Sequence, residues 1–196
     1  MNTLDSESLA LLFTDARTFG AWTDRPVDDA LLQRIYDLTR WGPTSANASP
    51  MRVVFVRSAA AKERLRPALA ATNVEKTMSA PATAIVAADA TYWEQLPRLF
   101  PGRDLKTQFG QMPGELRDRI GLQSATLEAG YLILAARALG LDCGPMGGFD
   151  PAKVDAAFFA DGAWRSTLLV NLGYGDRTKL RPRLPRLDFA DAARIE

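Results

Sequence analysis

Three stretches of the chain bring together groups able to hold a polar ligand. Trp41-Gly42-Pro43-Thr44-Ser45-Ala46-Asn47-Ala48-Ser49-Pro50 combines hydroxyls, an amide side chain and free backbone amides ahead of a β-branched run. That mixture can hydrogen-bond a ligand from several directions. Gly144-Pro145-Met146-Gly147-Gly148 lies within Gly140 to Asp150, where missing side chains let a backbone approach a flat ligand. Arg177 to Arg186 carries five positive charges and no acidic residue, and arginine forks suit phosphate oxygens. Composition alone favours plainer readings: turn-rich connectors for the first two and a solvated charged face for the third. The glycine-rich stretch is not GxGxxG and follows a helix, which excludes a Rossmann dinucleotide site.

What is missing narrows the chemistry further. The 196 residues include no histidine and one cysteine, Cys143. There is thus no imidazole catalyst, no Ser-His-Asp or Cys-His pair and no imidazole metal ligand, and no internal disulfide or CxxC motif. Cys143 reads as a small buried hydrophobe. Any catalysis must rest on carboxylates, Lys, Tyr, hydroxyls or a bound cofactor. Lys and Arg total 24 against 23 Asp and Glu, a formal charge of +1, so no long-range field draws the chain to nucleic acid or an acidic membrane. The N-terminal residues match neither a signal nor a transit peptide, and the longest apolar stretch, Ala129 to Leu141, is broken by Arg137. A cytoplasmic protein without a metal site or a membrane partner is expected.

The elements that must position these stretches follow from periodicity. Asp28 to Trp41 has helical spacing at Leu31, Leu32, Ile35 and Leu38, with an Asp cap and a Gly42-Pro43 stop. Strands are expected at Arg52 to Arg57, Ala82 to Ala88 and Ser166 to Leu172. Helices are expected at Ala59 to Ala71, interrupted near Pro67, and at Pro151 to Phe159. Gln123 to Leu139 reads as a helix ended by Gly140 and apolar on nearly every face, which places it in a core or at a subunit interface. Asp89 to Leu122, punctuated by Pro and Gly, reads as an excursion able to serve as a lid. Separated strands and helices give an α+β or α/β layered domain over residues 1–196, with 177–196 as a C-terminal arm.

Taken in order, Arg17-Thr18, Pro43-Thr44-Ser45-x-Asn47, Asn73-x-x-Lys76 ahead of a strand, Pro145-Met146-Gly147-Gly148 and Lys179-x-Arg181 resemble the nitroreductase family of FMN-dependent oxidoreductases across essentially the whole chain. The WGPTSAN loop, the KERLRPAL helix, the GLDxGPMxGFD turn and the GYGD…RLPRL tail are similar to the HadB/RutE group, which includes malonic semialdehyde reductase, also described as 3-hydroxypropionate dehydrogenase. The resemblance implies an α+β fold with a mixed sheet flanked by helices, and an intertwined homodimer with FMN at its interface. It implies ping-pong hydride transfer from NADH or NADPH through FMN to a small carbonyl acceptor such as malonic semialdehyde. Nitroaromatics or quinones are the alternative acceptors, and a non-catalytic flavin- or phosphate-binding module is an alternative of another kind.

By the same resemblance Arg17, Lys179 and Arg181 surround the FMN phosphate, with Thr18 assisting. Pro43, Thr44, Ser45 and Asn47 reach the flavin from the partner subunit, Asn73 and Lys76 meet its pyrimidine edge, and the Pro145, Met146, Gly147 and Gly148 backbone faces N5. Lys76 and the Gly147 amide would tune the flavin. Two features depart from many members of that family: Ala16 and Gly20 flank Arg17-Thr18 where further basic residues are common, and Gly147 stands where Glu is common. Arg98, Arg103 and Lys106 in the excursion are expected as carboxylate-binding positions.

Overall fold

The computed structural model describes residues 3–196; Met1 and Asn2, which begin the expected 1–196 domain, lie outside the described residues. The chain opens with α1 (Ser6–Leu9), capped by the Asp5 carboxylate and continued by a π-helical turn over Ala10–Thr14. Helix α2 (Asp29–Thr39) starts where Asp28 accepts from the Leu31 amide at 2.7 Å, as its cap was expected to do. Strand β1 (Met51–Val56) follows, then α3 (Ala59–Leu65), which gives way to a 3₁₀ turn at Pro67. Next come α4 (Ala71–Met78) and β2 (Ala82–Asp89). The excursion holds a 3₁₀ turn at Tyr92–Gln95, α5 (Leu96–Leu99) and α6 (Leu105–Gly110). Helix α7 (Gly114–Ala138), β3 (Asp142–Met146), α8 (Pro151–Phe158), β4 (Trp164–Gly173) and α9 (Phe189–Ala192) complete the chain.

The strands form one sheet in the order β1-β2-β4-β3, and every neighbouring pair is antiparallel. This corrects the expected mixed sheet: the only parallel pairing among the described residues is an isolated bridge between Thr18 and Cys143. Strand β2 is buried on both faces because layers of helix cover each side. Ala82, Ala84 and Val86 join Val170 and Leu172 of β4 under α2 and α7, whereas Ile85, Ala87 and Leu169 pack with Leu65, Val154 and Phe159 on the opposite face. The alternation follows from the two-residue repeat of a strand, and the pairing of β2 with β4 shifts register once, at Val86/Ala87.

Two boundaries differ from expectation. Helix α7 starts at Gly114, so the excursion ends about two turns before Leu122. Pro113 and Gly114 stand at the helix start, where Pro costs no hydrogen bond. The helix ends as read: Gly140 takes φ +81°, and the amides of Gly140 and Leu141 return to the carbonyls of Arg137 and Ala136, both at 2.9 Å. Gly144 and Pro145, read as loop, belong to β3. Pro is tolerated there because β3 is an edge strand, and Gly144 is required because a Cβ would stand 2.5 Å from the Phe19 carbonyl. The excursion is packed rather than open, with Tyr92, Leu96, Leu105 and Phe109 forming their own cluster with Ala48.

Candidate functional site

The N-terminal segment after Ala16 is threaded between β3 and the chain beyond β4. The Phe19 amide donates to the Cys143 carbonyl at 3.0 Å, Thr23 donates to Tyr174 at 2.8 Å, and Asp176 donates to Ala21 at 3.0 Å. Gly175 allows this approach, since any Cβ would enter the Phe19 ring. Arg17 is thereby brought beside the tail, where its guanidinium donates to the Arg181 carbonyl.

These segments enclose a cavity of about 1070 Å³ with α4 and β3. Of the expected site residues it gathers Arg17, Thr18, Asn73, Lys76, Pro145, Met146, Lys179 and Arg181. The Lys76 ammonium lies 3.3 Å from Asn73 Oδ1, and Asn73 donates its amide to the Gly148 carbonyl at 3.0 Å. Gly148 thus supports the wall from behind without lining it, and Gly147 does not line it either. A Cβ at Gly148 would stand 2.5 Å from Asn73 Nδ2, and one at Gly20 would press on the Lys76 methylenes at 3.2 Å. The small residue at position 20 therefore makes room for Lys76.

The loop of Pro43, Thr44, Ser45 and Asn47 does not reach this cavity. It packs on α7 and the excursion: the Ser45 amide donates to Ser124 Oγ at 3.2 Å and Asn47 donates to the Leu99 carbonyl at 2.9 Å. Ala46, Asn47 and Ser49 all take positive φ, so the loop is held in a shape that most sequences avoid. Arg98, Arg103 and Lys106 also lie off the cavity wall, because the excursion folds onto its own cluster.

Arg137 lines the cavity and was not expected there, and Arg183 and Arg186 of the basic stretch line it beside the Lys179 and Arg181 that the resemblance named. Arg137 had a legible signal, as the one charge breaking an apolar helix. The lining holds seven cations, Arg17, Lys76, Arg137, Lys179, Arg181, Arg183 and Arg186, against Glu75 and Asp176. None of the seven makes an ion pair among the described residues. Asp176 instead accepts from the Thr178 amide and hydroxyl at 2.9 and 2.7 Å. Such a concentration of unpaired positive charge in a concave site is suited to an anion.

The fold and the family agree with this geometry. The pattern of the nitroreductase family matches residues 17–174, and the chain belongs to that family. A Burkholderia lata protein provisionally named NADH dehydrogenase/NAD(P)H nitroreductase is 59% identical over 196 residues, the full length of both chains. YdfN of Bacillus subtilis, provisionally a nitroreductase, superposes with a TM-score of 0.89 at 20% identity over 98% of this chain and all of its own. A provisional nitroreductase of Exiguobacterium sibiricum, solved in complex with FMN, gives 0.87 at 20% identity over the whole of both chains.

Proposed function

We propose that the protein is an FMN-dependent NAD(P)H oxidoreductase that works as a homodimer. The observation carrying this reading is the single cavity in which the unpaired cations Arg17, Lys179 and Arg181 share a wall system with Asn73, Lys76 and the β3 backbone. This donor set fits FMN: three cations suit a phosphate, while an amide and an ammonium suit the polar edge of a flat heterocycle. When bound, FMN supplies a two-electron carrier between NADH or NADPH and the acceptor. Thr18 adds a hydroxyl at the phosphate, and the Lys76 ammonium, steadied by Asn73, stabilises negative charge at the pyrimidine edge. Gly148, behind the wall, leaves room for the Asn73 amide, and a planar ligand would lie against Pro145 and Met146 of β3.

Pro43, Thr44, Ser45 and Asn47 complete the site in trans, from the partner subunit, and the 89–122 excursion shields the partner's cavity as a lid. Exposed Leu122, Leu127 and Tyr131 on α7 support a subunit interface there. The positive cavity supports an acidic acceptor, so a small carbonyl acid such as malonic semialdehyde, in keeping with the HadB/RutE resemblance, is the first to test against nitroaromatics and quinones. A cytoplasmic site of action follows from the need for a supply of reduced nicotinamide.

The test is direct. Protein saturated with FMN should retain flavin absorbance after gel filtration and oxidise NADH or NADPH with ping-pong kinetics. Lys76→Ala should slow flavin reduction on the order of a hundredfold, while Arg181→Ala should mainly weaken FMN retention. Colourless protein inert toward both nicotinamides would overturn the proposal.

A further inference from the structure

Arg137 leaves α7 in its last turn and reaches the cavity with its guanidinium half-buried. Its Nη1 donates to the Leu12 carbonyl at 3.0 Å, whereas Nε is enclosed with no acceptor among the described residues. No carboxylate lies within ion-pair distance of it among those residues. A half-buried cation without a counter-charge among the described residues, surrounded by six other arginine and lysine side chains of the lining, lacks the anionic partner that such a group requires.

Its place in the cavity is fixed by what it grips. Leu12 belongs to the turn that leads into Arg17. Arg183 holds the same turn through the carbonyls of Thr14 and Ala16, at 2.6 and 2.9 Å. Arg137 and Arg183 therefore hold the turn that leads into Arg17, whose own guanidinium donates to the Arg181 carbonyl. Ala16 and Gly20 supply no charge beside Arg17, and α7 delivers one to the same region from a distant part of the chain.

We infer that Arg137 is an additional phosphate-binding residue of the cavity, the Nη1/Nη2 edge of its guanidinium pairing with the phosphate monoester of the bound flavin nucleotide. The inference rests on the FMN reading above. A guanidinium edge presents parallel donors to two phosphate oxygens, and one contact to Leu12 leaves that edge preorganised.

The experiment compares equilibrium binding of FMN and riboflavin, which share the ring and differ in the phosphate, to wild-type protein, Arg137→Met and Arg137→Lys. Circular dichroism confirms that each variant folds. Arg137→Met should weaken FMN at least tenfold while riboflavin changes less than twofold. Arg137→Lys, which keeps the charge and loses the fork, should fall between. The ³¹P resonance of bound FMN should shift in Arg137→Met. Parallel weakening of both ligands would show that Arg137 only braces the Leu12 turn, and unchanged FMN binding with an unmoved ³¹P signal would show no contact; either overturns the inference while leaving FMN binding intact. Failure of wild-type protein to bind FMN would overturn both readings together.

Discussion

Burial pushes the Cys143 thiol up to about 12, because the thiolate would lose its hydration beneath β4 and α7. The folded protein should therefore resist iodoacetamide at pH 8 and become labelled on denaturation, as mass spectrometry would report. Glu128 is another displaced group: burial raises its carboxyl to about 7, against the lowering influence of the Met51 amide, which donates to Oε2 at 3.0 Å, and of Arg52. An acid with a higher pKa in the folded state holds more protons there than when unfolded. Its contribution is full below about 4.5 and is lost as pH rises through about 7. Glu128→Gln keeps an acceptor for Met51 and removes the charge, so it should flatten this dependence and raise stability at pH 8 by on the order of 2 kcal/mol. Comparing chemical denaturation at pH 5 and pH 8 checks it. At this scale Cys143 was legible because a lone thiol without a histidine has little to do but pack. Glu128 was not, since nothing local marks one carboxylate of a long helix as buried.

Helix α4 shows how an element presents a residue. Its last four carbonyls, left without partners by the helix itself, are all met: Glu75 by Ser79, Lys76 by Trp22 Nε1 at 2.9 Å, and Thr77 and Met78 by the Lys62 ammonium at 3.1 and 3.2 Å. Lys62 is buried and also donates to the Ala80 carbonyl. Lys62→Met should cost about 2–4 kcal/mol through carbonyls left unpaired, and hydrogen exchange should show the α4 amides exposed before the sheet. The end of α7 was readable because Gly140 is a strong stop signal. Its start was not, because Pro113 and Gly114 look the same whether they break a helix or precede one. Strand β3 was missed because Gly and Pro argue against strands except at edges, and edges are set by neighbours remote in sequence. Helix α4 was not recognised as a helix before the structure, although Asn73 and Lys76 were picked out on it.

On the molecular scale, α7 presents two apolar stripes. Ala125, Ala129, Leu132 and Ala136 face the core, while Leu127 and Tyr131 are 49% and 38% exposed. Covering the second stripe with a second copy predicts that Leu127→Asp combined with Tyr131→Asp yields monomer in sedimentation velocity and loses FMN with it. The apolar girth of this helix was legible as a choice between core and interface; the loop at 43–47 read as a plain connector by composition and as a flavin contact by resemblance, and only the fold shows that its own chain's cavity is out of its reach. The cavity has another property. Two of its walls come from residues 13–21 and 176–186, facing α4, Arg137 and β3, while the sheet and both helical layers are complete by Gly173. Residues up to the end of β4 thus supply the sheet and both layers but only part of the cavity wall. Binding in the cavity should consequently depend on this last segment while the core does not, so shaving the chain back past Arg183 should empty the site and leave the melting transition of the core nearly unmoved.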